Sequence, residues 1–319
     1  MVNQEALLFL QEKLDKEVQE GYPKRSRVHA LRSFGAGSYV KREDELGFGI
    51  SGSKYRKYRT LIPYLRKYEE VIVLGGPFSN HVLGITQLLL ENGIKPTLFL
   101  KGAPPEKDEG NFFFLQMLLP SSSLHWITNQ EWPQIASEYA AAREKAFILP
   151  EGGALFPSFL GALTLPLDIL RNEKERDLTF DQIFFDVGTG YSAAALLLGL
   201  AFLERRVHCH LLLVAGAEEE FRQSVKELHS QFKRWLGKRC PWPEAFTCHL
   251  PTLARSFGST NKTLFQFIFQ TAQEEGFFLD PIYSGKLFYH AKGLLKEKKM
   301  EGNSLLIHSG GALSLSGFQ

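Results

Sequence analysis

The chain is short of cysteine, of net charge and of long apolar runs, and each shortage removes a class of protein. It has three cysteines, Cys209, Cys240 and Cys248. An odd number without a CxxC pair argues against a disulfide framework or a structural zinc site, and fits a reducing, cytoplasmic setting. The 37 basic and 35 acidic side chains leave +2, too little for the field that gathers nucleic acid, a membrane surface or a polyanion. The longest apolar run, Ala193 to Leu203, falls far below the ~20 residues that cross a bilayer and reads as a buried helix. From Met1 to Glu20 apolar residues alternate with Glu, Lys and Asp at helical spacing, unlike the unbroken apolar centre of an export signal. There is no internal repeat and no low-complexity tract.

What is present suits an enzyme. A chain of 319 residues, 44% hydrophobic and 13% aromatic, can bury a sizeable core and is long enough for two domains. Short β-like runs lead into Gly-rich turns and then helical patterns: Val71 to Leu74 before Gly75-Gly76, Thr97 to Leu100 before Lys101-Gly102, Ile183 to Val187 before Gly188-Thr189-Gly190. That alternation predicts an α/β fold with parallel sheets, whose ligands collect at the carboxyl ends of strands. Ala103 to Asn111 and Arg171 to Asp177, rich in charge, read as surface connections.

Four segments could carry chemistry. Ser51 to Tyr58 opens a helical pattern after the loop Gly47 to Ile50, and the spacing of three puts Lys54 and Lys57 on one face near a helix N-terminus. One lysine could bind a carbonyl covalently while the other holds a phosphate; the plain alternative is a solvated basic face with Arg56, Arg59, Arg66 and Lys67. Gly75 to His81 leaves a strand and enters a helix, offering Ser79 and Asn80 as polar groups or as helix caps. Gly188 to Ala193 could cradle a phosphate with its N–H groups and the hydroxyls of Thr189 and Ser192. It also matches the G-x-G-x-x-A dinucleotide fingerprint, so a nucleotide-dependent oxidoreductase is a rival. Leu279 to Lys286 presents Tyr283 and Ser284 between a Pro and a Gly, followed by Ile307 to Gly311. His208-Cys209-His210 would alternate across a strand with no fourth ligand nearby, so it reads as a strand and no metal site is assigned.

In this order and at these spacings the segments resemble the family of 1-aminocyclopropane-1-carboxylate deaminase and D-cysteine desulfhydrase. The likeness includes Lys41-Arg42-Glu43-Asp44, Gly110-Asn111, Pro150 to Gly153 and Gly161-Ala162, and so runs over nearly the whole chain. It implies a tryptophan-synthase-β-like (fold type II) enzyme of two open sheet domains, a larger one from 1–55 and 163–319 and a smaller inserted one from 56–162, usually as a homodimer. It further implies pyridoxal phosphate as cofactor, held by Lys54 as a Schiff base. Lys57 and the loop Thr189, Gly190, Tyr191 and Ser192 match the phosphate contacts, Asn80 the partner of the ring oxygen, and Ser284 the partner of the ring nitrogen. Ser79 and Tyr283 match residues that face the substrate.

The reaction implied is β-elimination and deamination of a small amino acid, as in a D-cysteine desulfhydrase, giving pyruvate, ammonia and sulfide. The family's ring-opening deaminases carry a glutamate where this chain has Ser284, and a neutral serine suits the simpler elimination; ring opening, and a cofactor-binding homologue with altered or no turnover, are the alternatives. The chain departs from the family pattern at Ser53, Phe78, Leu83 and Phe257. The first three belong to the neighbourhood expected for the substrate carboxylate, and Phe257 replaces a phenol.

Overall fold

The computed structural model describes residues 2–18, 25–47, 52–128, 130–298 and 300–318. Residues 48–51, most of the loop expected ahead of the lysine helix together with Ser51, lie outside them.

Among the described residues ten strands form two sheets: β1 (Val28–Ala30), β2 (Ser38–Arg42), β3 (Glu70–Gly75), β4 (Lys95–Lys101), β5 (Leu124–Ile127), β6 (Ala146–Leu149), β7 (Gln182–Val187), β8 (His208–Leu213), β9 (Phe246–His249) and β10 (Ser304–His308). The larger sheet runs β1-β2-β10-β7-β8-β9 and the smaller one β5-β4-β3-β6. Only the pairing of β1 with β2 is antiparallel; the others are parallel. Strands covered on both faces need near-continuous apolar sequence, as in Val71-Ile72-Val73 of β3 and Ile183-Phe184-Phe185 of β7, all essentially inaccessible. The smaller sheet is inserted between β2 and β7, and the cut expected between residues 55 and 56 falls inside one continuous helix, Ser53–Leu65.

That helix belongs to both halves. Tyr58, Leu61, Ile62 and Leu65 pack into the core of the smaller sheet. On another side Gly161, in helix Phe156–Ala162, lies so close that a Cβ there would come within 2.2 Å of the Arg56 carbonyl oxygen. Arg56 itself donates to Glu43 Oε1 and to Asp168 Oδ2, each at 2.7 Å. Lys41 of β2 donates to Asp168 at 2.6 Å and to Asn172 at 2.7 Å. This buried network ties the helix to β2 and to helix Thr164–Arg176. It also overturns the solvated-face reading for Arg56, Lys57 and Arg59, which are 1%, 4% and 0% exposed.

The apolar run from Ala193 forms the buried helix Tyr191–Phe202. Arg171 to Asp177 is not the surface connection expected: it closes helix Thr164–Arg176, with Asn172 and Glu173 buried. One of its charges is paired internally, Glu173 accepting from Arg205 at 2.6 Å, while Lys174 to Asp177 stay exposed. Among the described residues no helix is long and apolar enough to cross a membrane.

Candidate active site

The strand ends of both sheets open on one cavity of about 770 Å³. Its wall is built by the turn after β3, the turns after β7 and β8, the start of helix Ser53–Leu65 and the segment 282–283. This is where an open parallel sheet binds ligands. Lys54, Lys57, Ser79, Asn80, Thr189, Gly190, Ser192 and Tyr283 all line it. The side chain of Tyr191 packs into the core of the larger sheet instead, and Ser284 is fully buried beyond the cavity wall.

Lys54 Nζ stands 5.3 Å from the centre of the Tyr283 ring. Burial lowers its pKa, and Asp186 and Asp280 offset part of that. Lys57 Nζ donates to the Gly152 carbonyl at 2.7 Å; burial, helped by the Lys54 charge, brings its pKa down to about 7. An ammonium has three protons to donate, so Lys57 retains donors for an anion.

Beside Lys57 the start of helix Tyr191–Phe202 opens on the cavity. Its N-cap, Gly190, has φ +85° and no side-chain cap, so the first N–H groups of the helix keep their positive end for a ligand. Gly152, at φ +69°, touches the same loop: a Cβ there would lie 2.3 Å from Thr189 Cγ2. Only glycine lets the Lys57 and Thr189 segments meet.

On the opposite wall Ser79 caps helix Asn80–Glu91, accepting from the N–H groups of His81 at 3.2 Å and Val82 at 3.4 Å. The cap uses the lone pairs of the hydroxyl and leaves its proton to donate. Asn80 Oδ1 accepts from Asn111 Nδ2 at 2.7 Å, which fixes the amide so that its NH₂ is the group left for a ligand. His81 lines the cavity with Nδ1 at 2.7 Å from the Tyr58 hydroxyl, and its Nε2 is buried without a partner. Burial and the two lysines hold its pKa well below the ordinary histidine value, so it is a neutral ring.

Two carboxylates complete the site. Asp280 accepts from the backbone N–H groups of Ile282 at 2.9 Å and Tyr283 at 2.8 Å, and from the Ser284 hydroxyl at 2.7 Å. Ser284 in turn accepts from the Asp280 N–H at 2.9 Å. Asp186, near the end of β7, lines the cavity. Burial and Asp280 push its pKa up, against a hydrogen bond from Ser309 and the charge of Lys54, to about 6. Burial, with these two carboxylates, also raises the Tyr283 pKa, so its phenol keeps its proton.

Sequence reasoning did not single out Asp186 or His81. The signal for Asp186 was a lone carboxylate inside the apolar run Ile183 to Val187; His81 closed a motif read for its serine and asparagine. Of the four departures, Ser53, Phe78 and Phe257 do line the cavity. Leu83 does not: it is 3% exposed and packs in the core of the smaller sheet, so it has no place beside a substrate carboxylate.

The donor set fits a phosphorylated aldehyde: an amine at Lys54, a helix N-terminus with Lys57, Thr189 and Ser192 for a phosphate, the Asn80 amide for an oxygen between them, and the unpartnered Nε2 of His81.

No protein-family model matches the chain. A Pyrococcus abyssi protein provisionally named 1-aminocyclopropane-1-carboxylate deaminase is 30% identical over 288 residues, 88% of this chain and 86% of its own. The D-cysteine desulfhydrase of Yersinia enterocolitica is 27% identical over 290 residues, 87% of either chain. A crystal structure of an ACC deaminase homologue matches with a TM-score of 0.83 over 97% of this chain and 96% of that one, at 24% identity. That likeness agrees with the fold expected from the sequence, two open and largely parallel sheets of the tryptophan-synthase-β type.

Proposed function

We infer that this chain, which belongs to the family of 1-aminocyclopropane-1-carboxylate deaminase and D-cysteine desulfhydrase, is a pyridoxal phosphate-dependent lyase acting on a small amino acid by β-elimination. Pyruvate and ammonia are the products, with sulfide when the substrate is D-cysteine. One observation carries the reading: the buried amines of Lys54 and Lys57 share a cavity with an uncapped helix N-terminus. The rival nucleotide reading uses the helix N-terminus and leaves both lysines without a task.

The cofactor, when bound, supplies the conjugated electron sink for a carbanion at Cα. The protein's part is positional and protonic. Lys54 is the amine for the cofactor's aldehyde and, once released by the substrate amine, the base that takes the Cα proton. Lys57, the hydroxyls of Thr189 and Ser192, and the N–H groups of Gly190 and Tyr191 hold the phosphate; Tyr191 serves through its backbone. Asn80 donates to the ring oxygen, oriented by Asn111. Ser79 donates a hydroxyl toward the substrate, and the neutral Tyr283 phenol stands beside Lys54 as a second donor. Ser284, the residue expected beside the ring nitrogen, lies behind the cavity wall and gives its one proton to Asp280; a neutral hydroxyl in place of a carboxylate at this position favours β-elimination over ring opening.

The test is to add pyridoxal phosphate to purified protein, reduce with borohydride and map the adduct, which belongs on Lys54. A panel of D- and L-amino acids with 1-aminocyclopropane-1-carboxylate then reads the reaction. Pyruvate from D-cysteine supports the proposal, and a four-carbon keto acid from the cyclopropane would replace it with the ring-opening deaminase. Absence of any Lys54 adduct would sink it.

A further inference from the structure

The cavity lining includes a buried carboxylate that the roles above do not employ. Asp186 sits one residue before the carboxyl end of β7, between Phe185 and Val187, and is 9% exposed. Its carboxyl takes a hydrogen bond from Ser309, while Oδ1 is buried without any partner. A buried carboxylate oxygen left unpaired is costly, and such a group persists where it faces a partner that changes. The charged and titratable groups facing it are Lys54 from helix Ser53–Leu65, with Lys57 behind, and Asp280 and Tyr283 from the segment before helix Ser284–Lys298. Asp280 is already committed to four N–H or O–H donors. Asp186 is therefore the carboxylate with capacity to spare.

We propose that Asp186 is a further acid–base residue of this site, exchanging a proton with the Lys54 nitrogen across the cavity that both line. This rests on the reading of Lys54 as the amine that meets a carbonyl. The Lys54 ammonium loses a proton and the Asp186 carboxylate gains it. The freed lone pair forms the C–N bond while the carbonyl π pair moves to oxygen. That oxygen takes the Asp186 proton and a second one from the nitrogen and leaves as water; the nitrogen keeps its last proton, and Asp186 ends as a carboxylate. A group that returns its proton at each cycle must be able to hold it near neutral pH, and the burial of Asp186 serves that.

Two groups that share a proton titrate as a pair, in two macroscopic steps. The pH dependence of Lys54 reactivity reads this without any turnover. The probe is formaldehyde with cyanoborohydride at low conversion, scored at Lys54 by peptide mass. The wild-type rate should rise in two steps, the lower near pH 6. In Asp186→Asn the lower step should vanish, leaving a single step. In Ser309→Ala, which removes a hydrogen bond that favours the carboxylate, the lower step should move to higher pH; this second variant serves if the first fails to fold. A single-step wild-type profile, or a lower step that survives in Asp186→Asn, overturns the proposal. Formaldehyde needs no cofactor site, so the two readings fail separately. A two-step profile without a pyridoxal phosphate adduct would overturn the cofactor reading and leave the pairing standing, and an adduct with a one-step profile would do the reverse.

Discussion

Helix Ser53–Leu65 carries buried cations on two sides, and the two sides treat charge in opposite ways. Arg56 lies in a network with Glu43, Lys41 and Asp168 in which each charge meets an opposite one at hydrogen-bond distance. Against burial that would raise it, Lys41 and Arg56 hold Asp168 well below the usual carboxylate range, while burial brings Lys41 down only to about 8. Every member stays charged at neutral pH. Two residues before it and one after it, Lys54 and Lys57 have no such partner: Lys57 is brought to about 7 and Asp186, across the cavity, is pushed to about 6. A compensated group is locked in one protonation state, whereas an under-compensated one can exchange protons, at the expense of stability.

Breaking the two sides separately should give effects of different kind. Lys54→Ala has the largest: turnover should fall at least ~10³-fold and the borohydride adduct disappear. Its urea unfolding midpoint should barely move, because no hydrogen bond of the fold is lost. Arg56→Ala should do the reverse. Leaving Glu43 and Asp168 buried without their arginine should cost about 3–5 kcal/mol of stability in urea unfolding. Should Lys54→Ala prove the more destabilising of the two, the division between the sides is wrong.

The pH dependence of stability sharpens the comparison. The folded pKa of Asp186, about 6, stands above its ordinary value of 3.8. The folded state thus holds the extra proton between these values, and the stability linked to this group is present below about pH 4 and lost as pH rises through about 6. Asp186→Asn removes that loss. It should be more stable than wild type by about 3 kcal/mol at pH 8, with the gain gone at pH 4. The smallest effect belongs to an exposed pair: Arg27 meets Glu45 at 2.6 Å, with its side chain 59% exposed. Arg27→Ala should cost under ~1 kcal/mol, and high salt should abolish the difference.

Much of this site was legible because its parts are local. The glycine turns after β3 and β7 mark where backbone must approach a ligand, and the spacing of Lys54 and Lys57 fixes their common helix face whatever the helix packs against. The residues that were misplaced depend on direction across long separations. Leu83 points into the smaller sheet's core because the helix after Ser79 turns that face inward. The ring of Tyr191 goes to the core, though its backbone begins the helix that opens on the cavity. Asn172 and Glu173 look like a surface run until Lys41 and Arg205 arrive from distant parts of the chain.

The sequence by itself determined the α/β alternation, the strand-end turns and the residue types that can hold a phosphorylated aldehyde, since periodicity and turn chemistry act over a few residues. Tertiary structure alone decided which charges are compensated. Arg56 and Lys57 are adjacent in the chain and equally basic. One is neutralised by residues 13 and 112 positions away, and the other faces an open cavity, because a buried charge is stabilised by whatever the fold brings within hydrogen-bond distance and by nothing nearer in sequence.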